Sequence, residues 1–255
     1  MKLGIDIGGT KIRAILLDGK NKPVVIFNIP TPNNKKSFLE SLEIEINKII
    51  QNYKISGIGV GLPGIVDKNK GTLIKAPHIS FLKNWHAKKF FYKFSKNIKI
   101  ENDSRCFVLA EAEFGEGRGL KNIVGITIGT GIGGGIIIGG KVYRGKNNSA
   151  GEFGHIIINN QKTFEQLGAK EAFFKYGDRS EIIGIGIANL INVLNPDIVI
   201  LGGGGIISGK IKTEIVRKTA KKYIMSPLAK NTLIVKGKLG ENSPAIGAAL
   251  SLKQQ

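Results

Sequence analysis

Gly4-Ile5-Asp6-Ile7-Gly8-Gly9-Thr10-Lys11 opens the chain, and Gly129-Thr130-Gly131-Ile132-Gly133-Gly134-Gly135 answers it in the second half. Each loop follows a short apolar run (3–7, 123–128) and precedes another (12–17, 136–138). Strand, glycine turn, strand is a hairpin whose tip exposes backbone N–H groups, and such a tip can cradle phosphate oxygens. One Gly-Gly between strands reads equally well as a plain turn. Two of them, each with a threonine at the tip, favour a phosphate role. Two tips that grip one polyphosphate from both sides imply a cleft enzyme using ATP or a similar donor.

Other readings of the second loop fail on context. Gly129 to Gly134 fits G-x-G-x-x-G, but a dinucleotide-binding loop opens a helix, and here β-branched residues follow at once. The stretch from Gly135 to Lys141 begins like a P-loop, yet Val142 stands where Ser or Thr should hold magnesium.

Working outward, the first half reads as strands over 2–7, 12–18 and 24–29. A helix follows over 37–52, with Phe38, Leu42, Ile46, Ile49 and Ile50 at helical spacing, and Ser37 and Glu40 forming a capping box. Next come a strand over 55–60 ending at Gly61-Leu62-Pro63-Gly64, a helix over 87–96, a strand over 98–101 and a helix over 104–114. The pattern then restarts: strands over 123–128, 134–138 and 141–143, an irregular and partly helical stretch over 150–171, and a helix over 180–194. A strand over 197–201 runs into Gly202 to Gly205, and a strand over 233–236 precedes a helix over 244–252. Three strands, a helix, a strand and a helix, twice over, describe an α/β chain with a duplicated ribonuclease H-like fold, two lobes around a central cleft. The lobes are expected at residues 1–103 and 104–243, with 244–255 packing back on the first.

No apolar run reaches the length of a membrane span, and Lys2 runs straight into a strand, unlike a signal peptide. Cys106 is the only cysteine, so no disulfide forms within the chain and a reducing, cytoplasmic setting is expected. One Cys with three His (His78, His86, His155) also excludes a Cys-rich zinc site. The net charge is +19. Residues 68–99 hold nine lysines and no acid, among Phe81, Trp85, Phe90, Phe91, Tyr92 and Phe94, and 210–238 is similar. Such interleaving can signal nucleic-acid binding. Here the lysines are scattered rather than blocked, which makes a solvated basic surface the better reading and nucleic acid an unfavoured partner. The charge still favours anionic ligands such as nucleotides or a polyphosphate chain.

Several residues can do chemistry. Asp103, in Glu101-Asn102-Asp103-Ser104, stands at the carboxyl end of a strand, where ligands gather in open α/β sheets. There a carboxylate can take the proton of an attacking hydroxyl, or merely cap the next helix. Glu152 and His155, in Gly151-Glu152-Phe153-Gly154-His155, offer the donors and acceptors that sugar hydroxyls need, although a lone His is more often structural. Glu165 is nondescript by composition. Gly202 to Gly205 allow close backbone approach to a ligand, or form a strand-to-helix turn. Asp6, beside the first loop, can orient magnesium through water. Cys106 reads as buried packing.

Taken in order, Gly4 to Lys11, Gly61 to Gly64, Glu101-Asn102-Asp103, Gly129 to Gly135, Gly151 to His155, Asn195-Pro196-Asp197-Ile198-Val199-Ile200-Leu201-Gly202-Gly203-Gly204 and Ile246-Gly247-Ala248-Ala249 resemble the ROK family of bacterial-type sugar kinases, within the actin-like ATPase superfamily. The resemblance covers nearly the whole chain. It implies ATP-dependent phosphorylation of a hexose at its 6-hydroxyl, glucose foremost, with Mg2+ as the metal and a homodimer as the common assembly. Asp103 would be the catalytic base. Gly64, Asn102, Asp103, Glu152, His155 and Glu165 would hold the sugar. Asp6, Gly8, Gly9, Thr10, Lys11, Thr130 and Gly131 would hold donor phosphates and magnesium, and Gly203 and Gly204 would lie near adenosine.

Three departures from the family pattern stand out. The Cys-rich zinc loop is replaced by residues 159–163 without a cysteine, so no zinc is expected and His155 loses its metal. Ala76-Pro77-His78 stands where Ala-Pro-Asn is usual, and the first loop starts too early to follow a DNA-binding helix-turn-helix. Rival expectations are a polyphosphate donor, a fructose, mannose, N-acetylglucosamine or N-acetylmannosamine acceptor, and a non-catalytic sugar-sensing or nucleic-acid-binding protein.

Overall fold

Two five-stranded sheets carry the same strand plan, and in each the chain meets its neighbours first antiparallel, then parallel. The computed structural model describes residues 1–253 other than the side chains of Val25, Ile26 and Pro77. The first sheet holds β1 (Lys2–Ile7), β2 (Lys11–Leu17) and β3 (Pro23–Pro30). After α1 (Lys35–Asn52) comes β4 (Gly57–Leu62). A small hairpin, β5 (Ile65–Asp67) and β6 (Thr72–Lys75), and the short α2 (Ala87–Phe91) lead to β7 (Ile98–Asn102) and α3 (Asp103–Phe114). The sheet order is β3-β2-β1-β4-β7.

The second sheet repeats this with β8 (Ile123–Ile128), β9 (Ile132–Ile138) and β10 (Lys141–Tyr143). An excursion follows: β11 (Ile157–Asn159), β12 (Lys162–Thr163), α4 (Phe164–Gly168) and α5 (Lys170–Tyr176). Then come α6 (Ser180–Leu194), β13 (Ile198–Gly202), α7 (Gly204–Ile207), α8 (Thr213–Tyr223), β14 (Leu233–Lys236) and α9 (Ser243–Ser251). The order β10-β9-β8-β13-β14 matches the first sheet position for position. Residues 1–110 together with the chain from Asn242 on form one compact unit, and residues 111–241 form another.

Local chemistry accounts for most element ends. Helix α1 begins at Lys35, two residues before the expected start, because Asn34 caps it: Asn34 Oδ1 accepts the Ser37 amide at 3.0 Å. The expected Ser37–Glu40 capping box gives way to this cap, since Asn accepts from the third helical amide as readily as Ser does. Phe38, Leu42, Ile46 and Ile49 form its buried stripe. The helix expected over 87–96 stops at Phe91 and ends in turns. Helix α6 tolerates Gly184 and Gly186 because its neighbours leave no room for a side chain. A methyl group at Gly184 would crowd Val216 and Thr219 of α8, and one at Gly186 would strike the Phe164 ring. Asn195, in the left-handed region at φ 41°, then ends α6 before Pro196.

Helix α9 packs on β1, β2, β4 and β7 of the first unit. It is buried on nearly every side, from Ala245 to Ser251, as befits a central rather than a surface helix. The approach is backbone to backbone: a methyl group at Gly4 or Gly59 would overlap the carbonyls of Ala245 or Ala248, and one at Gly247 would overlap that of Cys106 in α3. Among the described residues no helix is long and apolar enough to cross a membrane.

Candidate active site

In the first unit β1, β4 and β7 run parallel, so their carboxyl ends open along one edge. Asp6 from β1 and Asp103 just past β7 converge there on Gly61 of β4. A methyl group built on Gly61 would stand 3.6 Å from Asp6 Oδ1, 3.6 Å from Asp103 Cα and 3.5 Å from Cys106 Sγ. Asp6 sits directly across the hairpin from Arg13. Burial, and then the charge of Asp103, push the Asp6 carboxyl up to about 8, while Arg13 pulls the other way. Burial likewise pushes the Cys106 thiol up, with Glu101, Asp6 and Asp103 adding to the effect and Arg105 opposing it. Cys106 is therefore an inert packing residue.

Asn102, not Asp103, does the capping of α3. Asn102 Oδ1 accepts the amides of Ser104 at 3.0 Å and Arg105 at 3.2 Å, while its Nδ2 donates to the Gly64 carbonyl at 3.2 Å. Asp103 Oδ1 accepts the next amide, Ser104 N, at 2.7 Å. Beneath both lies an ion pair that composition did not reveal: Arg105 Nη1 donates to Glu101 Oε1 at 3.2 Å, with side chains 3% and 2% exposed. Glu101 Oε1 also accepts the Asn102 amide at 3.1 Å.

The first glycine tip is tied down at its base and open at its crest. Gly8 N donates to the Lys11 carbonyl at 2.9 Å, and Thr31 grips the tip through Oγ1 to the Gly8 carbonyl at 2.7 Å and its amide to the Thr10 carbonyl at 3.0 Å. Gly9, Thr10 and Lys11 are exposed. His78 lies against Gly9, where a methyl group would come within 2.9 Å of its Cβ. Thr31 and His78 thus join the site. His78 was visible only as a departure from a motif, and Thr31 gave no signal. Asp6 and Asp103, two neighbouring carboxylates in a partly buried place, fit a magnesium ion held largely through water. Among the described residues no three His, Cys, Asp or Glu side chains gather as a direct metal cage.

In the second unit Gly129 N donates to the Gly131 carbonyl at 2.9 Å, closing the tip that presents Thr130. Gly203, at φ 86°, lies so close over the end of β8 that any side chain would overlap the backbone of Ile128. Gly204 follows beside the tip: a methyl group at Gly129 would lie 4.0 Å from its amide nitrogen. The Thr130–Gly131 tip and the Gly203–Gly204 turn therefore adjoin.

The turn from Gly151 to His155 docks on β9, with the Phe153 ring and the Gly151 carbonyl filling the space a side chain at Gly134 would need. Glu152 and His155 are exposed. Glu165 Oε2 accepts the Ile132 amide at 2.8 Å and packs beside Gly154, linking the tip's exit strand to this turn. A two-residue hairpin replaces the missing loop: Asn160 and Gln161, at φ 44° and 62°, join β11 to β12, the conformation of a type I′ turn. Thr163 and Gln166 then form a reciprocal capping box that sets Glu165 in the first turn of α4.

The repeated sheet order is that of the actin-like fold, which the chain shares with solved structures. The family model described as "ROK family" matches residues 2–172 and 164–255, and the chain belongs to that family. A glucokinase of Streptomyces coelicolor is 26% identical over 308 positions, covering 98% of this chain and 96% of the relative. Those 308 positions outnumber the 255 residues here, so the relative carries insertions that this chain lacks. An N-acetyl-D-glucosamine kinase of Vibrio parahaemolyticus is 28% identical over 299 positions, covering 98% of both chains. The crystal structure of a ROK family glucokinase from Streptomyces griseus in complex with glucose and AMPPNP shares the fold, with a TM-score of 0.88 at 24% identity over 100% of this chain and 99% of that one.

Proposed function

We propose that this protein is an ATP-dependent hexose kinase that phosphorylates the 6-hydroxyl, with glucose as the foremost substrate. The observation that carries the proposal is the division of labour at the end of β7: Asn102 caps the helix, and Asp103 stands beside Asp6 at the sheet edge. The kinship with kinases of glucose and N-acetyl-D-glucosamine supports it.

Asp103 takes the proton of the 6-hydroxyl as that oxygen attacks the terminal phosphorus in line with the leaving group. Asn102, held to Gly64, and the exposed Glu152 and His155 orient the ring, with Glu165 fixing the turn that carries them. The Gly8–Lys11 and Thr130–Gly131 tips hold the donor phosphates by backbone N–H groups, and Lys11 adds a cation where charge develops. Magnesium, when bound near Asp6, neutralises phosphate charge. Catalysis by this set is chiefly positioning and charge stabilisation.

The test is a panel of hexoses and N-acetylhexosamines with ATP, followed as sugar phosphate formed, with Asp103→Asn alongside. Turnover in the variant should fall about 10²–10⁴-fold while sugar affinity stays within about threefold. Equal turnover would remove Asp103 from the chemistry. A second reading, inorganic polyphosphate as donor, is favoured by the net charge of +19, and the same panel run with polyphosphate decides it.

A further inference from the structure

Helix α5 carries two aromatic rings that the proposed reaction leaves without a role. Its first amide, Lys170 N, donates to the Gly129 carbonyl at 3.0 Å, so the helix is docked on the second phosphate tip. At about 1.5 Å of rise per residue, Phe173 and Phe174 begin only ~5–6 Å further along its axis. Phe174 keeps 69% of its surface in solvent, an unusual exposure for a ring with no partner helix. Lys210, just beyond α7, holds its ammonium 5.3 Å from the Phe173 ring centroid and 5.4 Å from that of Phe174, and Lys170 Nζ stands 5.8 Å from Phe174. The Gly203–Gly204 turn that enters α7 is the one adjoining Gly129. An exposed phenyl ring with two ammonium groups over it, beside a glycine tip, suits an aromatic base that carries phosphates: the base takes the place of the ammonium groups against the ring, and the displaced cations meet the phosphate oxygens.

We infer that Phe174, backed by Phe173 and flanked by Lys170 and Lys210, is the platform on which the purine base of the donor stacks, so that this surface sets the preference for a nucleoside triphosphate over a bare phosphate chain. The inference rests on the kinase proposal for the identity of the ligand. Further along α5, Tyr176 lies among Lys175, Arg179 and Lys162, at 5.2, 5.4 and 6.0 Å from its ring centroid, a track that a single-stranded nucleic acid would also use. The adjacency to Gly129 and Gly204 favours the nucleotide.

Calorimetric titration of the intact protein with AMPPNP and with inorganic tripolyphosphate, without sugar, tests the platform apart from turnover. Phe174→Ala removes an exposed ring and leaves the core untouched. It should weaken AMPPNP about tenfold, leave tripolyphosphate within about twofold, and recover with Phe174→Trp. In turnover the same variant should raise the KM for ATP with little change in kcat. Unchanged AMPPNP affinity, or equal losses for both ligands, overturns the platform. So does a variant that weakens only a single-stranded oligonucleotide. If the ring matters for AMPPNP yet the wild type phosphorylates no sugar, the platform stands and the kinase proposal falls.

Discussion

Asn102 and Asp103 are both good helix caps, and nothing in their order says which takes the part. Three-dimensional bonding does: Asn102 collects two α3 amides and the Gly64 carbonyl. Asn102→Ala should therefore lower stability by about 1–2 kcal/mol, read by denaturant unfolding, whereas Asp103→Asn should leave it nearly unchanged. The buried Glu101–Arg105 pair has more at stake, because losing one partner strands a charge in the interior. Glu101→Ala should cost about 3–5 kcal/mol, and a loss under about 1 kcal/mol would mean that Arg105 finds water. Asp6 yields a pH signature. With a native carboxyl near 8 and an ordinary value of 3.8, the folded form keeps a proton that the unfolded chain has released between those limits. Stability from this group therefore declines as pH rises from about 4 to 8 and is level above. In magnesium-free buffer, Asp6→Asn should gain in Tm over the wild type across that window, and parallel curves would contradict the shift. The position of Asp103 was legible because a polar triplet ends an apolar strand. The pairing of Glu101 with Arg105 was not, and neither was Glu111. That residue looks like an exposed helical glutamate, yet it is fully buried and accepts the amides of Glu116, Lys238 and Leu239.

Elements were legible where an apolar run is bounded by turn residues. The strands over 2–7, 123–128, 141–143 and 233–236 and the helix over 180–194 lie where short apolar runs, or a longer apolar stretch for the helix, put them. Helix α8 was missed although Val216, Thr219 and Ala220 form one buried face at helical spacing, because the basic stretch around it was read by its charge alone. The β11–β12 hairpin was missed because Asn-Gln is a poor turn signal; Gln161 adopts φ 62° without the freedom of glycine. Gln161→Gly should therefore raise stability by about 0.5–1 kcal/mol, seen as a higher Tm, whereas a proline there should open the hairpin and lower Tm. If the glycine variant melts lower, the turn is not strained.

For the whole molecule, a charge of +19 on 255 residues sets a self-repulsion that screening relieves. Raising salt from about 20 to 200 mM, where the Debye length falls below ~10 Å, should raise Tm, and a neutral or falling trend would show that local pairs absorb the charge. The duplicated plan was legible because both halves repeat one order of strands and helices. The hand-over of α9 to the first sheet rests on a run of small residues, Gly247-Ala248-Ala249, whose value lies only in what it lets come near. That closeness has a consequence at the ribosome. Until residues 243–251 have been synthesised, the first sheet to emerge lacks the helix that covers the face bearing Gly4, Ile15 and Gly59. The nascent chain must carry this sticky face through the translation of all the intervening residues, so chaperone dependence during synthesis is built into the order of its parts.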